Sequence, residues 1–399
     1  MFSKVFITGM GMVSSIGMNV EEAFDSLKRS KSGIGPINYL ETSHKKNIKA
    51  GEIQKSNDEL SALAGTTSDK YDRTTLLGMI AVKEALNHAR ISNTEYADLS
   101  FISSTTVGGM SRSELLYPFY LKHEPFDSFI ETHDCGESTQ TIAGLLGIKG
   151  FTSTVSTACS SSANAIMLGC RMIKNNMCER VIVGGTDALS KFTLNGFNAL
   201  QILDADRCKP FDENRKGLNL GEGAGYLILE SESSVSKRNK KIWAEITGYG
   251  NTSDAYHQTA SSPNGEGAFL AMQKTLAMAN VRTQSISYIN AHGTGTANND
   301  LSEGTAIKRL FENNIPKFSS TKAYTGHTLG ASGSIEAVIT TLSINHKTIF
   351  PNLNFTTPIS SLNISPQSNL LTNFEIKMAL SNSFGFGGNC TSLLFKQAS

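Results

Sequence analysis

The chain has 399 residues, of which 39% are hydrophobic and 18% charged, with a formal net charge of +1. That length supplies a core without covalent staples, and near-neutrality argues against a bulk electrostatic attraction to nucleic acid or to an anionic membrane. Six cysteines (Cys135, Cys159, Cys170, Cys178, Cys208 and Cys390) form no C-x-x-C pair and no Cys/His cluster at zinc spacing, so neither a disulfide framework nor a metal site is expected. Met1–Lys4 runs straight into Val5–Gly9 without the charged segment and long apolar run of a signal peptide. No stretch approaches the roughly 20 apolar residues needed to span a bilayer, and a soluble cytoplasmic protein is expected.

In chain order, short apolar runs rich in β-branched residues predict buried strands at Val5–Thr8, Ser100–Thr105, Arg180–Gly184, Tyr226–Glu230, Tyr288–Ala291 and Ser392–Phe395. Helical patterns alternate with them. Thr74–His88 has apolar residues at 76, 77, 80, 81, 85 and 86, and Ser162–Ile173 and Gly333–Ile344 are similar. Such alternation predicts an α/β fold with mixed sheets. The chain also repeats itself. Ile7-Thr8-Gly9-Met10-Gly11 recurs as Ile246-Thr247-Gly248-Tyr249-Gly250, and each copy is followed later by a helix ending in a similar phrase, Ala85–Arg90 in one and Thr275–Asn280 in the other. Strands running into glycines follow at Ile102–Gly109 and Ile289–Gly295, then Ser156-Thr157 and Ser320-Thr321 before further helices. Matches in the same order predict a duplicated half, with the boundary near the basic stretch Lys237–Lys241.

Four segments carry chemistry. In Val155–Ala163, Cys159 follows a strand-like entry and precedes an apolar helix, where unpaired amides and the helix dipole favour a thiolate. On that segment alone, a nucleophile and a buried structural cysteine both stand as readings. In Asn290–Thr296, His292 leaves an apolar strand into two glycines flanked by threonines, a place where ligands approach the backbone, although a satisfied core histidine has the same look. In Ser320–Gly330, Lys322 and His327 lie before another apolar helix. Proximity to a helix N-terminus predicts a neutral His327, able to donate to a developing oxyanion, whereas Lys322 alone reads equally as a surface lysine. In Asn382–Cys390, Gly385, Gly387 and Gly388 permit unusual backbone angles, and amides of such a loop suit an oxyanion hole as well as a plain turn.

Taken in this order, and with Pro210-Phe211-Asp212 and Gly221–Gly225 between them, these segments resemble the β-ketoacyl-[acyl carrier protein] synthases, the elongating type II class of the thiolase-fold condensing enzymes. The resemblance spans nearly the whole chain. It implies a thiolase fold, an α/β structure of two duplicated halves (1–240 and 241–399) in a five-layer α-β-α-β-α sandwich. It implies the catalytic set Cys159, His292 and His327, with Lys322 orienting the network beside Glu336. The amides of Cys159 and Phe386 would form the oxyanion hole. Thr294, Thr296 and Thr259 would contact the pantetheine arm, and Phe386 would gate the nucleophile. Lys70, Arg73 and Lys209 match positions that dock the acidic acyl carrier protein. No cofactor is implied, since phosphopantetheine arrives on that carrier. A homodimer is expected, or a heterodimer with a nucleophile-lacking homologue.

The implied reaction is decarboxylative condensation of a malonyl carrier protein with an acyl group on Cys159, in fatty acid biosynthesis. Some stretches depart from the housekeeping pattern: the polar Glu131–Gln140, Gly217–Leu220 in place of a Phe-Val-Met-like run, Ile202–Cys208, and Asn389-Cys390 in place of Thr-Asn. They point to the alternative of a specialised polyene or polyketide synthase with the same mechanism. A thiolase is disfavoured because Cys390 is followed by Thr391-Ser392 rather than completing C-x-G.

Overall fold

The computed structural model describes residues 3–66, 71–122 and 132–398. Ten strands form one mixed sheet: β1 (Val5–Ser14), β2 (Ser100–Ser104), β3 (Thr152–Val155), β4 (Arg180–Asp187), β5 (Gly223–Ser231), β6 (Ala244–Ser253), β7 (Tyr288–Asn290), β8 (Lys317–Ser319), β9 (Met378–Phe384) and β10 (Asn389–Lys396). Their spatial order is β8-β7-β9-β10-β6-β1-β5-β4-β2-β3. All six predicted strands are present, most of them longer than the apolar runs that announced them.

Read outward from the centre, β1-β5-β4-β2-β3 and β6-β10-β9-β7-β8 are the same arrangement. In each set the first two pairings are antiparallel and the last two parallel. The sets are joined at Phe6↔Glu245 and Ile7↔Ala244, beside which the Trp243 amide donates to the Ile7 carbonyl at 2.8 Å. The repeated Gly-x-Gly explains why the motif occurs twice. A Cβ at Gly9 or Gly11 would stand 2.4 and 2.0 Å from the carbonyl oxygens of Ala85 and Ala81 on helix α1 (Arg73–His88). At Gly248 and Gly250 it would meet those of Thr275 and Ala271 at 2.5 and 2.3 Å. Each first strand thus lies directly on a helix backbone, and only glycine allows that approach.

Seven more helices matter for the site: α2 (Met110–Leu121), α3 (Glu137–Leu146), α4 (Ser161–Lys174), α5 (Lys191–Ala199), α6 (Glu266–Ala279), α7 (Ala297–Phe311) and α8 (Ser332–His346). Helices α1 and α3 cover the outer face of the first set of strands, while α6, with α7 on it, covers the second. Helices α4 and α8 pack on each other and on both sets, as the central layer of a five-layer thiolase-fold sandwich. That position accounts for α8, which is buried from Ser332 to Ile344 and has no polar face. The close approach of α4 and α8 needs Gly333, where a Cβ would lie 2.9 Å from the Ala163 amide nitrogen. Among the described residues, no helix is long and apolar enough to cross a membrane.

Candidate active site

Strand β3 ends at Val155 and α4 begins at Ser161. Between them Ala158 takes a φ of 53°, a left-handed conformation that costs a non-glycine residue about 1 kcal/mol or more. Surrounding hydrogen bonds hold it there. Ser161 Oγ accepts from the Thr157 amide at 2.8 Å and donates to the Ala158 carbonyl at 2.6 Å, and Ser160 Oγ lies 2.8 Å from Asn389 Oδ1. Cys159, 4% exposed, sits at this corner, and the Phe386 amide donates to its sulfur. Burial pushes the Cys159 thiol up to about 11, against the pull of the Lys322 ammonium and of that amide. The helix terminus favours a thiolate. Burial outweighs it, and the residue rests as a thiol.

His292 follows β7, and its ring lies 5.4 Å, centroid to centroid, from that of His327 at an interplanar angle of 86°. Lys322, read from sequence as equally a surface residue, is buried beneath them. Its ammonium donates to the His292 carbonyl at 2.6 Å, lies 3.2 Å from His292 Nδ1, and pairs with Glu336 Oε1. An ammonium has donors only, so His292 Nδ1 is an acceptor and the ring proton sits on Nε2. At His327 the Leu329 amide donates to Nδ1 at 3.2 Å, which likewise puts the proton on Nε2. Both rings line the same cavity as Cys159. Two Nε2–H donors therefore share one wall, the arrangement an oxyanion calls for.

Burial, then the Lys322 ammonium, hold both imidazoles well below the usual histidine value, and His327 adds to the effect at His292. Burial pushes Glu336 up to about 7 against the pull of Lys322. A group whose folded value is lowered stays neutral throughout the range above its ordinary value. The Cε1–H resonances of His292 and His327 are accordingly expected not to titrate between about pH 8 and about pH 6. A sigmoidal shift of either resonance centred in that window would contradict the geometry.

Three buried carboxylates that sequence reading passed over position these groups. Glu303, on α7, accepts the amides of His292 (2.9 Å) and Gly293 (2.8 Å) and a bond from Asn382 Nδ2 at 3.1 Å. Asp187, at the end of β4, accepts the amides of Thr106 (2.9 Å) and Gly330 (2.7 Å), tying the loop after β2 to the one that carries His327. Asp300 accepts the amides of Phe211 (2.7 Å) and Gly295 (3.2 Å). Asp187 lies 81 and 143 positions from its partners and Asp300 lies 89 from Phe211, whereas Glu303 reaches back 11 positions to His292 and Asp300 five to Gly295; no local pattern marks such residues.

Two of the departures from the housekeeping pattern form one unit. Asn219 Oδ1 accepts the Cys208 amide at 2.8 Å, its Nδ2 donates to the carbonyls of Asp204 (3.0 Å) and Asp206 (2.7 Å), and its own carbonyl accepts the His327 amide at 2.7 Å. The 202–208 loop and the 217–220 run are thus one folded piece under His327. Asn219→Val is expected to lower unfolding free energy by about 2–4 kcal/mol in chemical denaturation, because buried backbone groups lose their partners. A change within about 0.5 kcal/mol would contradict the role given to this side chain.

Cys159, His292, His327, Thr294, Thr296, Thr259 and Phe386 all line one cavity of about 230 Å³. Phe386 stacks on Phe197 of α5 at 5.6 Å and 16°. Cys390 also lies in the wall, where burial and the carboxylates of Asp254 and Glu303 raise its thiol far out of the reactive range. Its neighbour Asn389 accepts bonds on Oδ1 from Asn164 Nδ2 (2.9 Å) and Asn251 Nδ2 (2.8 Å) as well as from Ser160. Of the polar stretch 131–140, Glu131 lies outside the described residues. Thr132 packs on Gly109, whose amide donates to its carbonyl at 2.9 Å, and Cys135 Sγ lies 3.9 Å from the Thr106 carbonyl.

The carrier-docking expectation fails at Arg73. Its guanidinium spans the Glu222 carboxylate, with Nε to Oε2 at 2.9 Å and Nη2 to Oε1 at 2.7 Å, and also bonds the Ile53 and Lys55 carbonyls and Asn57 Oδ1. With every donor spent inside the fold, it offers none to a partner. Lys70 lies outside the described residues. Lys209 is half-buried and does not line the cavity.

Family models of the beta-ketoacyl synthase N-terminal and C-terminal domains match residues 2–234 and 243–356. The chain is 34% identical to the 3-oxoacyl-[acyl-carrier-protein] synthase 2 of Staphylococcus aureus (strain COL), over 99% of this chain and 98% of that protein. It is also 34% identical to the protein of that name from Synechocystis sp., with the same coverage. Among solved structures it is similar to the ishigamide ketosynthase/chain length factor, with a TM-score of 0.93, 28% identity and full coverage of both chains. The ketosynthase ApeO in complex with its chain length factor ApeC, from Xenorhabdus doucetiae, gives a TM-score of 0.83 at 29% identity, covering 99% and 98% of the two chains.

Proposed function

The chain belongs to the beta-ketoacyl synthase family, and from that premise we propose the following division of labour in its condensing reaction. The observation that carries it is the pair of neutral Nε2–H donors sharing a cavity wall with a cysteine whose sulfur meets a backbone amide. An acyl carrier protein delivers its thioester to Cys159. The sulfur attacks the acyl carbonyl, the amides of Cys159 and Phe386 hold the oxyanion, and the carbon–sulfur bond to pantetheine breaks. The thiol proton of Cys159 leaves on the released pantetheine thiol. A malonyl thioester then enters, and its carbonyl oxygen takes bonds from His292 and His327. Loss of CO₂ leaves the bonding pair on the α-carbon as an enolate that both imidazoles stabilise without protonating. That carbon attacks the acyl-Cys159 carbonyl, the carbon–sulfur bond to Cys159 breaks with the pair leaving on sulfur, a proton from solvent restores the Cys159 thiol, and a β-ketoacyl chain two carbons longer departs on the carrier. Lys322 and Glu336 fix the His292 tautomer and move no proton.

For the substrate, a specialised polyene or polyketide chain is the second reading. It is favoured by the Asn219 unit and by Asn389, which build departures from the housekeeping pattern into the site's support. Competition between saturated and conjugated acyl carrier proteins, read by product mass, separates the two: dominance of the saturated product would favour the fatty-acid reading.

A second thiolase-fold chain, either another copy or a chain-length partner, is proposed to pair with this one. Tyr117, Tyr120 and Leu121 on α2 and Phe192 on α5, two helices that pack on each other, are 59, 49, 59 and 58% exposed. Exposed apolar area of this kind marks an interface. The reading carries a cytoplasmic setting, in which the six cysteines stay reduced.

A further inference from the structure

The cavity that begins at Cys159 opens beside an exposed lysine, Lys216, to which no role has yet been given. Its place is fixed by its neighbours. Arg215 donates from Nε to the Thr296 carbonyl at 3.2 Å, from Nη2 to the Ala297 carbonyl at 2.8 Å and from Nη1 to the Asp212 carbonyl at 2.9 Å. On the other side, the Gly217 carbonyl oxygen lies 2.8 Å from where a Cβ on Gly295 would stand. The backbone that carries Lys216 is therefore laid directly on the Thr294–Thr296 segment, whose two hydroxyls are 2.9 Å apart in the cavity wall.

Among the described residues, the Lys216 ammonium makes no hydrogen bond or ion pair. Asp206 is near enough to feel its charge but is itself bonded to Lys49 at 2.8 Å. The carboxylate in the cavity wall, Asp254, is turned away into the Ser262 amide (2.6 Å), the Ser262 hydroxyl (2.6 Å) and the Gly267 amide (2.8 Å). The mouth thus presents an unspent cation and no unspent anion.

We propose that Lys216 binds the phosphate of the phosphopantetheine arm at the cavity mouth and makes acyl transfer selective for phosphorylated over unphosphorylated pantetheine thioesters. The inference rests on the condensing reading and deepens it. An ammonium on a flexible stem suits a phosphate oxygen as a point charge and needs no fixed fork. Being exposed, the contact is screened by salt.

The test uses the full chain with two soluble probes, acyl-phosphopantetheine and acyl-pantetheine, with transfer to Cys159 followed by intact mass. The expected result is a rate ratio in favour of the phosphorylated probe of about five- to tenfold at low salt, shrinking at high salt. In Lys216→Ala the ratio should fall to near unity, and Lys216→Arg should restore most of it. A ratio that survives in Lys216→Ala overturns the proposal. Equal rates for the two probes in the unaltered protein overturn the phosphate site and leave the condensing reading standing. Transfer from neither probe overturns both.

Discussion

Replacing His292 by alanine is expected to slow malonyl decarboxylation by a factor of about 10²–10³, while acyl loading of Cys159 stays within about tenfold of the unaltered protein. The two half-reactions build charge in different places. During loading, the oxyanion forms at the acyl carbonyl, where the Phe386 amide already meets the sulfur of Cys159. During decarboxylation, negative charge forms on the malonyl carbonyl, which the Nε2–H groups of His292 and His327 are placed to meet. Decarboxylation is read as CO₂ released from a malonyl carrier protein, and loading as the mass of the acyl-enzyme. Parallel loss of both half-reactions would mean that His292 acts on the cysteine, and unchanged decarboxylation would remove it from the mechanism.

Lys322→Met is expected to cost about 3–5 kcal/mol of folding stability and to reduce decarboxylation with it. The ammonium is buried with Glu336 and has spent its donors on that carboxylate and on the carbonyl and Nδ1 of His292. Removing it leaves a carboxyl without a cation in the core and frees His292 to adopt the other tautomer. The double change Lys322→Met with Glu336→Leu separates the two effects. It removes the stranded carboxyl and is expected to recover most of the stability, since well-packed apolar replacements of buried ion pairs are near neutral. Decarboxylation should stay low, because nothing then holds the proton on His292 Nε2. Recovery of full activity in the double variant would show that Lys322 serves stability alone.

These expectations show which parts of the site were open to sequence reading. Cys159 and His292 each stand at the exit of a strand-like run and His327 in a glycine-bounded stretch before an apolar helix, and such places can be read from periodicity and glycine placement. The duplication was equally legible, because the glycines of β1 and β6 answer one steric demand and so recur as one motif. What stayed hidden depends on distant partners. Arg73 looks like a surface charge before a helix, yet its carboxylate, Glu222, is 149 positions away. Lys322 by itself has the look of an ordinary lysine; only the resemblance set it beside Glu336, and the pair closes around His292 in the fold. Glu303 and Asp187 read as routine acidic residues, although each holds backbone amides of a histidine-bearing loop. Asn219 was visible as a departure, but its use was not, since its contacts reach the 204–208 loop and His327 at once. The balance of effects on the Cys159 thiol was hidden for a related reason. A helix terminus is visible in sequence, whereas the burial that overrides it is a property of the assembled layers.

The measurement that tests the central claim most directly is the intact mass of the protein after incubation with an acyl carrier protein. The account predicts one covalent acyl group, mapping to the peptide that contains Cys159, present in the unaltered protein and absent in Cys159→Ala. Persistence of the adduct in that variant, on Cys390 or elsewhere, would contradict the assignment of Cys159 as the residue that holds the growing chain.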